Sequence, residues 1–511
     1  MSILSRTARR LEAFPDTPAW FDRHLAKPSS QWLVLVALGL ALRIATFGDP
    51  NLHVDEAWYF LVGQEMHHGA IPYVTIWDRK PVGLFLLYYL FAGLSSNVLA
   101  YQIPAWLFAS TTAWVIARIA ARWTGAQGAV LAGASYLLML GPLEGFGGQT
   151  PVFYNLLIAA AAWLVLQSLD ELDAGRPGWR MLAAMALAGT ALTFKQTTMF
   201  EAAFFGLFAA YRLWRSSAPR LRAAGWITAW VVIGAAPTLV TAAWYVGHGF
   251  WPEFWQAMVL SNLAKAKPSA AEIALSSLRL LLRLYPIIAI AWLGTINPSL
   301  NRQIRIERQF AIIWIFSAIL GVVIVPNFYT HYALPALAPF IILNGFALGR
   351  RDIGFFLFAF IAAFTSLLYP PMLRIDHRLS AKTMDEMSTI IRKHGGDKGL
   401  LIYDGPTQLY TMTDTHPVSR LAFPPHLNNW RERNVSSFDT IEEVRHALAV
   451  KPGVIVTTIT PTYTPGNGDT REMVMAYAYN FCEISGAYPS YEYTSNDSLI
   501  VVFGDCSKYQ N

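Results

Sequence analysis

Apolar residues in this chain arrive in blocks long enough to cross a lipid bilayer, and that feature excludes most folds. The first block, WLVLVALGLALRIATF, runs from Trp32 to Phe47, and about 20 such residues span the hydrocarbon core. Counted with their flanks, candidate spans fall at roughly 31–49, 100–118, 126–142, 151–168, 180–194, 197–214, 225–246, 279–296, 310–325, 332–348 and 353–369. Hydrocarbon offers the backbone no water to bond, so segments of this length must satisfy their own amides as helices. Composition agrees, because only 14% of the residues are charged, against about a quarter in soluble domains. The chain reads as a polytopic α-helical membrane protein with about 11 transmembrane helices.

The apolar stretch 82–95 is too short for a span, and the basic residues decide its status. If it does not cross, Arg118/Arg122, Arg176/Arg180, Arg212/Arg215/Arg220/Arg222, Arg302/Arg305/Arg308 and Arg350/Arg351 all fall on the N-terminal, cytoplasmic side, as the positive-inside rule requires. The stretch then dips into the outer leaflet or lies along it, and loops 50–99 and 247–278 face outward. The net charge of +6 is a matter of topology and does not point to nucleic acid. Residues 1–30 are basic and lack the apolar core of a cleaved signal. Two readings stand for them: a cytoplasmic interfacial segment with Leu11, Phe14, Trp20 and Phe21 toward lipid, or a disordered tail.

Beyond about residue 370 the pattern changes. RIDHRLSAKTMDEMSTIIRKHG reads as an amphipathic helix, and GLLIYDG, GVIVTTIT and SLIVVFG as short buried strands. Residues 371–511 are therefore expected to form an extracytoplasmic (in a bacterium, periplasmic) α/β domain, after a transmembrane domain over 31–370. Cys482 and Cys506, the only cysteines, both lie there. An oxidising compartment permits them to pair, and buried free thiols are the alternative.

Polar residues of the outward side carry the candidate chemistry. LHVDEAWYF sets Asp55 and Glu56 just after the first span, and WDRKP returns Arg79 and Lys80 to the same loop. Asp55 as a helix N-cap with Glu56 in the first turn is one reading; a general base beside phosphate-binding cations is the other. Lys195 sits in a turn between two spans, either snorkelling or aimed into a cavity. Arg43 lies within the first span, where a guanidinium needs a phosphate, a carboxylate or water. His331 and Tyr332 stand at the mouth of a later span, and Asn262 and Lys265 lie in the aromatic 247–278 loop. The tandem His67–His68 has no third metal ligand nearby in sequence, and nucleotide-binding and zinc motifs are absent.

DEAWYFLVGQEMHHGAIPYVTIWDRKPVGLFLLYYL resembles the first outer loop of membrane glycosyltransferases of the GT-C fold, closest to the protein O-mannosyltransferase and lipid A aminoarabinose transferase superfamily. LTFKQTTM, FYTHYALPALAPFIIL and IYDGPTQLYTMTDTHPVSRLAFPPHL extend the similarity along the chain. The resemblance implies that Asp55 deprotonates the acceptor, with Glu56 and Tyr59 supporting the acceptor or the loop. It implies that Lys80, with Arg79, holds the phosphate of a polyprenyl-phosphate sugar, and Lys195, His331 and Tyr332 join them on the donor side. Arg43, Asn262 and Lys265 are further candidates. Aminoarabinose-type members carry a metal-associated Glu where this chain has Arg79, which puts a divalent metal in doubt.

The expected activity is inverting transfer of one sugar to a glycolipid or envelope glycan, less readily a protein, at the outer face of a bacterial inner membrane. A polymerase or ligase using diphosphate-linked chains is the enzyme alternative. A lipid-linked sugar flippase is the non-enzyme one, though the paired, interrupted helices of transporters are missing.

Overall fold

A computed structural model describes residues 24–295, 302–325, 327–369, 376–491 and 498–506. Residues 1–23, to which the interfacial reading of Leu11, Phe14, Trp20 and Phe21 belongs, lie outside the described residues. The chain forms two compact units. One comprises 1–45, 104–239 and 268–373, and the other 46–103, 240–267 and 374–511.

The first unit is helical. Among the described residues, eight helices of the chain are long and apolar enough to cross a membrane: Pro28–Thr46, Leu99–Ala120, Ala126–Leu143, Thr150–Gln167, Arg220–Gly247, Ala270–Thr295, Arg302–Val323 and Thr330–Leu348. The chain is a membrane protein. Three other expected spans form shorter helices, Trp179–Leu192, Met199–Trp214 and Gly354–Leu368, rising only about 21–24 Å. Thr330–Leu348, the most buried of the eight, packs against Ala126–Leu140, Ala270–Thr295 and Arg302–Val323, and 89% of its apolar window is enclosed. Only 11% of the Arg220–Gly247 window is buried, and Leu221 and Leu367 are 88% and 85% exposed. Such surfaces suit lipid rather than water.

The second unit joins the first loop and the 240–267 segment to a C-terminal α/β fold. Strands β1 (Leu400–Ile402), β2 (Val454–Thr458), β3 (Glu483–Pro489) and β4 (Leu499–Gly504) form one sheet in the order β1-β2-β4-β3. β1 and β2 pair in parallel, while β4 runs antiparallel to both β2 and β3. The three expected strands are β1, β2 and β4, and the amphipathic helix is Asp376–Lys393. β3 escaped notice because its residues EISGAYP are largely exposed and lack apolar alternation; pairing with β4 makes it a strand. Cys482 and Cys506 form a disulfide.

In the first loop, the Val54–His67 helix packs on Val82–Ala92. The latter has 11 residues and rises about 16 Å, too little for a bilayer. Gly63 sits at the crossing: a Cβ there would lie 2.6 Å from the Tyr88 carbonyl carbon, so only glycine permits the approach. Gly63→Val is expected to cost about 1–3 kcal/mol through overpacking, read as a lower melting temperature of the purified protein. An unchanged melting curve would contradict the crossing.

Candidate active site

Trp77 fixes the second half of the first loop. Its indole is fully buried in the core of the C-terminal fold with Leu401, Tyr403, Leu421 and Leu427, and its backbone N–H donates to the Arg420 carbonyl at 2.9 Å. Asp78, next in sequence, accepts from the Trp58 indole N–H at 2.6 Å and from the amides of Arg79 and Lys80 at 2.5 and 3.2 Å. One carboxylate thus closes the turn that presents both cations and ties it to the helix bearing Asp55. Burial pushes the Asp78 carboxyl above its ordinary range, against the opposing pull of Lys80, Arg79 and the Trp58 bond. The Tyr73 hydroxyl donates to the Lys80 carbonyl at 2.7 Å. Tyr73 holds a left-handed backbone, φ 73°, unusual for a bulky residue, with its ring packed on Tyr245 and Phe254.

Asp55 is not the N-cap. His53 caps the helix, its ring nitrogen accepting from the Asp55 amide at 3.1 Å, which places Asp55 and Glu56 in the first turn, where helix N–H groups favour negative charge. An Asp55 carboxylate oxygen lies 3.8 Å from the Lys80 ammonium, an ion pair without hydrogen-bond contact. The ammonium also lies 5.3 Å from the centroid of the Tyr59 ring, so Tyr59 steadies the cation. Glu56 is fully buried.

Arg79 pairs with Glu432, and the same carboxylate takes Lys265 at 2.6 Å. One anion therefore serves two cations. The Lys265 ammonium is pushed down to about 7, first by burial and then by Arg79 and Lys80, against the opposing pull of Asp55. His426, stacked edge-on against Trp77, is held well below the ordinary histidine range by burial and by Arg79, Lys265 and Lys80. It stays neutral beside this charge. The result is a largely buried group in which Arg79, Lys80 and Lys265 meet the carboxylates of Glu432 and, at a helix N-terminus, Asp55, with Asp78 closing the turn between Trp77 and Lys80. A divalent metal at the Arg79 position does not fit, because Arg79 is itself the cation held by Glu432.

The structure brings together Asp55, Glu56, Tyr59, Arg79, Lys80 and Lys265. Asn262 is turned to its own helix, donating to the Met258 carbonyl at 3.1 Å. The remaining candidates belong to the other unit. There Lys195 lies 4.5 Å above the Tyr332 ring, and both line a cavity with Tyr154 and Glu201. His331 faces Glu144 at 3.0 Å. Arg43 donates to the carbonyls of Gly145 and Gly147 at 2.5 and 3.1 Å, so backbone carbonyls meet its charge within the span. Glu432, His426, Asp78 and Trp58 were missed. The run WRERN around Glu432 is a faint signal, but nothing local couples it to a loop more than 350 positions away.

No family model and no curated protein matches the chain. Among solved structures, ArnT from Cupriavidus metallidurans bound to undecaprenyl phosphate is similar at TM-score 0.60 and 14% identity, covering 93% of this chain and 98% of that one. The same protein in the apo state gives 0.59 with equal identity and coverage. The likeness establishes the GT-C fold of membrane glycosyltransferases, as the resemblance implied.

Proposed function

We propose that this chain is an inverting glycosyltransferase that moves one sugar from a polyprenyl-phosphate carrier to a glycolipid or envelope glycan at the outer face of a bacterial inner membrane, its C-terminal domain periplasmic. The observation that carries the reading is the Asp55 carboxylate 3.8 Å from Lys80 beside the Arg79–Glu432–Lys265 group, on a fold whose solved relative binds undecaprenyl phosphate. In this reading Asp55 takes the proton of the acceptor hydroxyl or amine as that group bonds to the anomeric carbon. The bond from that carbon to the phosphate oxygen breaks with its electron pair, and the carrier leaves as a phosphomonoester. Its charge grows from one toward two, so Lys80, Arg79 and Lys265 hold the leaving state more strongly than the donor.

The test is transfer of labelled sugar from polyprenyl-phosphate sugar by the purified protein and its Asp55→Asn variant. Full activity in the variant removes Asp55 as the base.

Lys265 adds a pH signature. With its ammonium near 7 before binding, a phosphodiester that favours the charged form should draw a proton onto it. Affinity for the donor is then expected to be constant below about pH 7 and to fall toward about tenfold per unit above it, until the bound-state value is passed. Neutral His426 contributes no slope. Calorimetry in buffers of different ionisation enthalpy should show proton uptake at pH 8, and Lys265→Arg should flatten the profile. A flat wild-type profile from pH 6 to 9 would contradict the assignment.

A further inference from the structure

The tandem histidines at the end of the Val54–His67 helix separate in the fold. His67 stacks on Tyr89 with centroids 3.9 Å apart, and its Nε2 lies 2.9 Å from the Tyr89 carbonyl. His68 turns elsewhere. It follows Glu65 by three residues, and its amide closes the turn onto the Glu65 carbonyl at 2.9 Å, which sets both side chains on one face. His416, brought from the C-terminal fold, completes the group. Its Nδ1 is 2.9 and 3.1 Å from the two Glu65 carboxylate oxygens, and its ring stands edge-on to His68 with centroids 4.7 Å apart.

We propose that Glu65, His68 and His416 bind a divalent transition-metal ion of the zinc class, clipping the helix that carries Asp55 to the C-terminal fold. One ligand atom from each residue lies within 4.8 Å of the others. Around tetrahedral zinc, with bonds of about 2.0–2.2 Å, neighbouring ligand atoms stand about 3.3 Å apart. The Glu65–His416 pair is already at that spacing, and rotation of the exposed His68 side chain closes the rest. Two imidazoles and one carboxylate are a known zinc donor set, with water completing the shell. An ion pair between His416 and Glu65 explains that contact but not the second imidazole against it. The frame is also set: the Thr411 hydroxyl donates to Gln64, one residue from Glu65 and five from His416. Asp55 lies ten residues up the same helix, about 15 Å away, so the ion positions the helix and takes no part in transfer.

The experiment uses tag-free, full-length protein in detergent, stripped with chelator and titrated with Zn2+ alone, with metal content measured after desalting. Wild type should retain one zinc equivalent that His68→Ala and His416→Ala each lose or bind at least about tenfold more weakly. Zn2+ should raise the wild-type melting temperature and leave both variants unmoved. Both histidines are exposed and come from distant parts of the chain, so unchanged melting in chelator shows that each variant folds. Wild type without this equivalent, or either variant binding as wild type does, overturns the proposal. Neither readout depends on sugar transfer.

Discussion

Asp55→Asn is expected to lower the rate of sugar transfer by about 10²–10⁴-fold, the usual contribution of a positioned general base. That corresponds to about 3–5.5 kcal/mol of barrier. The substitution keeps side-chain volume, and the cap is preserved because His53 bonds the residue-55 amide, not its side chain. Folding should therefore be intact. Donor binding should not weaken: the Asp55–Lys80 pair is loose at 3.8 Å, and removing a negative charge leaves the cation cluster more attractive to phosphate. Single-turnover transfer with equilibrium donor binding separates the two effects. Loss of binding together with transfer would place Asp55 on the donor side, and undiminished transfer would exclude it as the base.

Trp77→Ala is expected to cost about 3–5 kcal/mol, the range for truncating a large buried aromatic. The indole is fully buried, shares one core with Leu401, Tyr403, Leu421 and Leu427, and meets the His426 ring edge-on with centroids 4.7 Å apart. The variant should unfold at lower denaturant, and its C-terminal fold should yield earlier to limited proteolysis. Donor affinity should fall as well, since Arg79 and Lys80 follow Trp77 by two and three residues and share its anchorage through Asp78. Trp77→Phe retains an aromatic plug and should recover most of both losses. A change below about 1 kcal/mol would mean that the loop is held by other contacts.

Parts of the site were readable one residue at a time. Asp55, Arg79 and Lys80 stand out because charge in a loop between apolar segments needs a reason, and their pattern resembles a known loop. Glu56 and Tyr59 were readable as positions but not as roles. Tyr59 lies under the Lys80 ammonium, which no spacing along the chain announces. Arg43 raised the right question, a charge within a span, and the answer proved to be two backbone carbonyls of a turn about a hundred residues away. The N-cap shows the limit of local rules. Asp is a favoured cap, yet His53 takes the position, because the helix begins at Val54, two residues earlier than a cap at Asp55 would set it.

The sequence by itself determined the solvent and the class of fold. Apolar blocks of bilayer length admit little besides spanning helices, since hydrocarbon leaves no other partner for the backbone. It also determined the strands β1, β2 and β4, whose short apolar runs are bounded by turn residues or lie beside them. Only the tertiary structure decided that Glu432 holds both Arg79 and Lys265, that Trp77 belongs to the core of a fold built more than three hundred residues later, that Cys482 and Cys506 pair, and that His416 meets Glu65 and His68. The physical reason is common to all four. Hydropathy and period are properties of neighbours along the chain, whereas ion pairs, core contacts and ligand sets are set by distances of a few ångströms through space, which packing alone closes.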